Sequence, residues 1–189
     1  MGIPMGIGAL GFNNTVFKRK FRFSFGVTNI CGNPNRTVPA AFVKTAGRPE
    51  LSIDETEVNF LHAKKFLPGK GTWETLDITY YDVASTLAKP LYDWIASVYN
   101  FQDPYNLFMG SSNTDYSATG ILAMYDGCGE FLESWVLYEL WPTRINFGDL
   151  DYGDSEVSTI DLSLRFTAAQ YFPECPFFPI DPCCTGCVN

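Results

Sequence analysis

Residues 138–166 read YELWPTRINFGDLDYGDSEVSTIDLSLRF, and the end of this stretch decides the kind of fold. From Ile160 every second residue is apolar: Ile160, Leu162, Leu164 and Phe166 alternate with Asp161, Ser163, Arg165 and Thr167. A period of two marks a half-buried β-strand. The start of the stretch carries Trp141-Pro142, and proline interrupts a sheet ladder because it has no N–H to donate. That step is expected to anchor and bend the chain between two strands, with Trp141 buried. Between the step and the strand lies an acidic loop containing Asp149, Asp151 and Asp154.

Outward from this segment the chain reads mainly as strands. KFRFSFGV (20–27) alternates aromatic with basic or small residues, and LSIDETEVNF (51–60) is a second candidate. WETLDITYYDV (73–83) sets Leu76, Ile78 and Tyr80 on one face and Asp77, Thr79 and Tyr81 on the other. Further strands are expected at 119–125, 131–140 and 157–169. The span 28–50, with Pro34, Pro39, Gly47 and Pro49, reads as loop, and LPGKGT (67–72) reads as a turn. One helix stands out near residues 90–98. Pro90 suits a first turn, and Leu91, Trp94, Ile95 and Val98 fall on one face at the i, i+3, i+4, i+7 spacing. Six or so strands and one flanking helix predict an antiparallel β-sandwich or small barrel. The organisation expected is an N-terminal arm (1–16), a β domain (17–172) and a Cys/Pro-rich tail (173–189).

Hydrophobic residues make up 46% of the 189-residue chain and charged ones 18%. That suits a folded domain rather than a disordered segment. No apolar run is long enough to span a bilayer, and MGIPMGIGAL lacks the basic start and apolar core of a secretion signal. A non-exported product without a membrane anchor is expected. The net charge of −8 is unevenly spread. Residues 1–50 carry +6, residues 51–125 carry −5 and residues 126–189 carry −9. A basic end and an acidic end on one domain fit two readings: folding mixes the charges over one surface, or complementary patches orient head-to-tail self-association. An acidic chain is a poor general binder of nucleic acid, whose affinity comes largely from Lys and Arg on phosphates.

Catalytic and cofactor motifs are thin. GIGALG (6–11) matches a dinucleotide fingerprint, but neither a preceding strand nor a βαβ context supports it. No cofactor is expected. His62 is the single histidine and is expected in a surface loop, away from any triad. Carboxylate pairs such as Glu133 with Glu139, or Asp149 with Asp151, meet the minimal need of glycoside hydrolysis, yet any acidic β-protein offers them. No enzyme is expected. Cys175, Cys183, Cys184 and Cys187 crowd the tail, and Cys184 and Cys187 have the Cys-x-x-Cys spacing. Free thiols, a disulfide clasp and a thiolate-bound metal all fit that pattern.

The order of these segments carries a resemblance. A basic-aromatic first strand precedes RPELSIDETEVNFLHAKKFLPGKGTWETLDITYYD (48–82). The helix LYDWIASVYNF (91–101) follows, then ELWPTRINFGDLDY (139–152) and the final alternating strand. Residues 17–172 so arranged resemble the tail-tube proteins of contractile-tailed bacteriophages, relatives of injection-system tubes and of the ring-forming Hcp protein of type VI secretion. The resemblance implies a structural virion protein in the tail, assembled in the host cytoplasm. Six copies form a ring, and rings stack into a hollow tube through which the genome is ejected. The partners implied are further copies of the chain, the tail sheath protein, baseplate and tail terminator proteins, a tape measure protein in the lumen, and genomic DNA in passage. It further implies that residues 59–72 form a hairpin tip reaching the next ring, where Lys64, Lys65 and Lys70 meet the acidic loop of Asp149, Asp151 and Asp154. Acids on polar strand faces, such as Asp77 and Asp161, are candidates for the channel lining. A baseplate tube initiator of the same fold and a carbohydrate-binding or adhesion module are the alternatives.

Overall fold

A computed structural model of the chain describes residues 18–83, 89–101, 103, 112–153 and 155–173. Among them are nine strands. In chain order these are β1 (Phe23–Thr28), β2 (Val43–Ala46), β3 (Leu51–Phe60), β4 (Ala63–Trp73), β5 (Leu76–Tyr81), β6 (Ala118–Tyr125), β7 (Phe131–Asn146), β8 (Thr159–Arg165) and β9 (Ala168–Phe172). The helices are α1 (Lys89–Val98) and the single turn α2 (Asn113–Tyr116).

All strands except β3 and β4 form one antiparallel sheet in the order β1-β6-β7-β8-β5-β2, with β9 also beside β7. β8 and β9 lie end to end along one edge of β7, pairing Arg165 with Trp141 and Ala168 with Tyr138. The Thr167 N–H donates to the Tyr138 carbonyl (3.1 Å) across the break between them. The expected single strand 157–169 is therefore two strands, kinked at the buried Phe166.

The alternation read from sequence sets the core. Leu76, Ile78 and Tyr80 of β5 face Ile160, Leu162 and Leu164 of β8 in direct register, as Tyr80↔Ile160, Ile78↔Leu162 and Leu76↔Leu164. Phe25 and Val27 of β1 and Leu137 and Leu140 of β7 complete the same cluster. The predicted helical face is the buried one: Leu91, Trp94 and Ile95 join this core. The Trp94 Nε1–H donates to the Tyr116 carbonyl at 2.8 Å, so the indole is buried without an orphaned donor. Burying each of these large side chains contributes about 1.5–3 kcal/mol.

Three expectations need correction. The span 28–50 contains β2, which pairs with β5, and a 3-10 turn at Ala40–Phe42. The strand expected at 131–140 runs on to Asn146, so Trp141-Pro142 lies inside β7 rather than between two strands. Its first half pairs with β6 and β9, its second with β8. The bend comes from Glu139, whose φ of +54° places an extra residue opposite the Ala118–Gly120 step of β6. A bulge of this kind bends and twists its strand, and a second register shift follows at Pro142/Arg144. Trp141 is half-buried rather than buried and meets Tyr116 edge-on, with ring centroids 6.2 Å apart. Lastly, Pro68 and Gly69 sit within β4 rather than at a turn. They mark a register shift against Ile53/Glu55, where a Cβ on Gly69 would lie 2.9 Å from the Asp54 carbonyl oxygen. A bulge and a turn draw on the same residues, so sequence alone confuses them.

Candidate functional site

The segment least explained by the core is the hairpin β3–β4. Every residue of β3 is exposed, and in β4 only Trp73 is half-buried. The two strands pair with each other and with no other described strand. Their base is held by the Glu74 N–H on the Glu50 carbonyl (2.9 Å) and by Trp73 against Phe166, ring centroids 5.6 Å apart. Ten residues of strand at about 3.3 Å each carry the tip some 30 Å from that base.

This ribbon is apolar where solvent would favour polarity. Phe60 is 73% exposed, Leu61 87% and Phe66 56%. Paired residues share a face, and the pairs Thr56↔Leu67, Val58↔Lys65 and Phe60↔Ala63 put Val58, Phe60 and Leu67 on one side. The tip is the two-residue connection Leu61-His62, and Leu61 takes a left-handed φ of +52°. Tight hairpins normally place Gly, Asn or Asp at such a position. An apolar side chain there costs backbone strain yet is the most exposed apolar residue of the ribbon. A lone two-stranded hairpin is marginally stable in water, and exposed apolar surface of this extent marks an interaction face.

Charges decorate the hairpin. Lys64 pairs with Glu57 across the strands (2.8 Å), so part of its charge is answered within the ribbon. Lys65 and Lys70 are exposed on β4, and His62 sits exposed at the tip. Asp149 and Asp151 are exposed in the loop after β7, where the Asp151 carboxylate accepts from the Gly153 N–H (2.9 Å). The structure therefore does not bring the lysines and the acidic loop of one chain together in any described ion pair. Asp154, the arm 1–16 with its GIGALG stretch, and Cys175, Cys183, Cys184 and Cys187 lie outside the described residues. Cys31 and Cys128 are free thiols.

A second surface is the outward face of β5, β8 and the end of β7. The Thr79 hydroxyl donates to the Asp161 carboxylate (2.7 Å) and the Ser163 hydroxyl to Asp77 (2.6 Å), with Arg144 and Asn146 next in register. Both acids lie on the polar face their alternation predicted.

One carboxylate went unrecognised for its true setting. Glu133 of β7 is 2% exposed and is held by Lys18, by Arg48 (2.5 Å) and by the Tyr171 hydroxyl, which donates to it (3.0 Å). Burial pushes its pKa up. Hydrogen bonds from Lys18 and Tyr171, with the charges of Lys18 and Arg48, outweigh burial and hold it below the ordinary carboxylate value. Glu139, proposed from sequence as its partner, is exposed six residues on. Glu133 ties the start of β1, the base of the hairpin and the last strand at one point. Only a charged residue in an apolar strand signalled it in the sequence.

Among the described residues no three His, Cys, Asp or Glu side chains are grouped to hold a metal, and no helix is long and apolar enough to cross a membrane. No family model matches the chain, and no curated protein matches it in sequence. Solved structures do match in shape. The tube-terminating cap of the anti-feeding prophage superposes over 89% of this chain and 99% of its own, with a TM-score of 0.67 and 15% identity. The chain has the tail-tube fold.

A subunit of the sheath–tube complex of the extracellular contractile injection system PVC superposes over 89% and 98%, with a TM-score of 0.61 and 13% identity. The SPP1 tail tube covers 82% and 78%, with a TM-score of 0.52 and 12% identity. At identities this low the superpositions show a shared fold alone.

Proposed function

We propose that the chain is a structural subunit of a contractile phage tail, assembling as stacked hexameric rings into a hollow tube. The observation that carries this reading is the projecting β3–β4 hairpin, whose apolar face no part of its own chain covers among the described residues. A neighbouring copy in the next ring supplies the cover. The likeness to structures of a tail tube, a sheath–tube complex and a tube-terminating cap supports the same reading. Lys64, Lys65 and Lys70 on the hairpin meet Asp149, Asp151 and Asp154 of that neighbour, and opposite charges fix the stacking register.

The polar face bearing Asp77 and Asp161 lines the channel. Six copies of an acidic chain give a lumen that repels phosphates, so DNA passes on ejection without adhering. The outer surface meets the sheath protein, the ends meet baseplate and terminator proteins, and a tape measure protein fills the lumen before the genome does. The role is that of a building block rather than a catalyst, carried out in the virion after assembly in the host cytoplasm.

The test is negative-stain electron microscopy beside sedimentation velocity, in reducing and oxidising buffers. Hollow tubes or six-fold rings are expected, and a redox dependence would give the tail cysteines a role. The likeness to a tube-terminating cap favours a second reading, in which the chain starts or ends a tube. A protein that stays monomeric alone but joins preformed tube ends would establish that reading and sink the first.

A further inference from the structure

The sheet rolls up but does not close. Its two edge strands are β1 and β2, and between them lies a groove of about 870 Å³. The groove is built of aromatic and aliphatic side chains: Phe23 of β1, Val43 of β2, and the buried Leu122 and Met124 of β6, with Phe21 exposed at its mouth. Four cations, Lys18, Lys20, Lys44 and Arg48, line it as well, and of these Lys18 and Arg48 are bonded to Glu133. Lys44 lies over the Tyr81 ring, 5.8 Å from its centre. An aromatic groove with cationic walls and unpaired backbone on β2 selects an extended, apolar, acidic peptide.

The sequence contains one. Beyond β9 the prolines fall at 173, 176, 179 and 182, every third position, in PECPFFPIDP. A polyproline II helix has three residues per turn, so this spacing places all four prolines on one edge. In a helix of that kind Phe177, Phe178 and Ile180 would fall on the other two edges, together with the acids Glu174 and Asp181. Such a helix makes no internal hydrogen bonds and is already ordered before docking, which lowers the entropy cost of binding in aromatic grooves. The segment also starts in the right place. Tyr171 donates to Glu133, which is bonded to Lys18 and Arg48 in the groove wall, so Pro173 leaves the fold beside it. The ten residues 173–182 span about 30 Å at 3.1 Å per residue.

We propose that residues 173–182 of each chain dock as a polyproline II segment in that chain's own groove between β1 and β2, covering the open seam of the sheet. The N-terminal arm fits less well, because residues 1–16 contain no acid to meet the four cations.

The test is photo-crosslinking of the full-length chain in reducing buffer, with benzoylphenylalanine in place of Phe178 and, separately, of Met5, followed by mass-spectrometric mapping. Crosslinks from position 178 should fall on residues 21–23 and 43–46. The pair Lys20→Glu and Lys44→Glu, both exposed and tolerant of change, should cut their yield about fivefold. Adding Glu174→Lys and Asp181→Lys should restore it. Scattered crosslinks, crosslinks on the hairpin, or a yield indifferent to the charge swap would overturn the proposal. So would groove crosslinks arising from position 5 instead. In a mixture of isotopically light and heavy chains, crosslinks joining light to heavy would make a second copy the occupant and overturn docking within one chain. None of these outcomes depends on whether the chain forms tubes.

Discussion

At the scale of single residues, two buried polar side chains have opposite prospects. Glu133 is charged, buried and fully answered. Its pKa is depressed in the folded state, so its stabilising contribution is complete above the ordinary carboxylate value near 4.3 and fades as pH falls through the lowered folded value. Glu133→Gln should cost roughly 2 kcal/mol at neutral pH, because Lys18, Arg48 and Tyr171 lose a charged acceptor. The gap to wild type should shrink as pH drops below 4, which urea midpoints measured from pH 7 to pH 3 would show. Tyr80 is the reverse case. Its hydroxyl is buried with no partner among the described residues, and burial drives its pKa upward. Tyr80→Phe removes an unsatisfied group at constant shape and should stabilise the protein by about 1 kcal/mol in thermal unfolding. The Glu133 cluster was not legible in the sequence, since Lys18 lies 115 residues from it along the chain.

At the scale of elements, the hairpin is the decisive part because it contributes so little to its own chain's core. Val58→Ser with Phe60→Ser should abolish assembly while moving the melting temperature of the monomer by less than about 2 °C. A large loss of monomer stability would mean that the ribbon folds back on the body. Lys64→Glu with Lys65→Glu should weaken stacking, read as a higher critical concentration for tubes. The exposed Lys64–Glu57 pair contributes at most about 1 kcal/mol to the monomer. Strands β5 and β8 and helix α1 were legible because one face of each meets a continuous core, and burial imposes the period. β3 and β4 bury neither face. Their alternation therefore carried no register, and the bulge at Pro68-Gly69 passed for the turn that Leu61-His62 makes.

At the scale of the whole molecule, charge placement matters more than net charge. Asp77→Lys with Asp161→Lys leaves the sheet intact, since each loses one exposed hydroxyl bond of about 1 kcal/mol or less. Tubes of this variant should retain duplex DNA in a mobility assay at 50 mM salt and release it by 200 mM, whereas wild-type tubes should bind none at either. Retention by wild-type tubes would remove these acids from the lumen. By itself the sequence determined the β class, the inward faces of β5 and β8, the buried face of α1 and the polarity of the opposite faces. Those properties follow from local periodicity against a single core. Tertiary structure alone decided that β7 bends at a bulge and continues through Trp141-Pro142, that Glu133 gathers three distant groups, and that the sheet stays open between β1 and β2. Each of these depends on which residues, far apart in the chain, become neighbours when the sheet rolls.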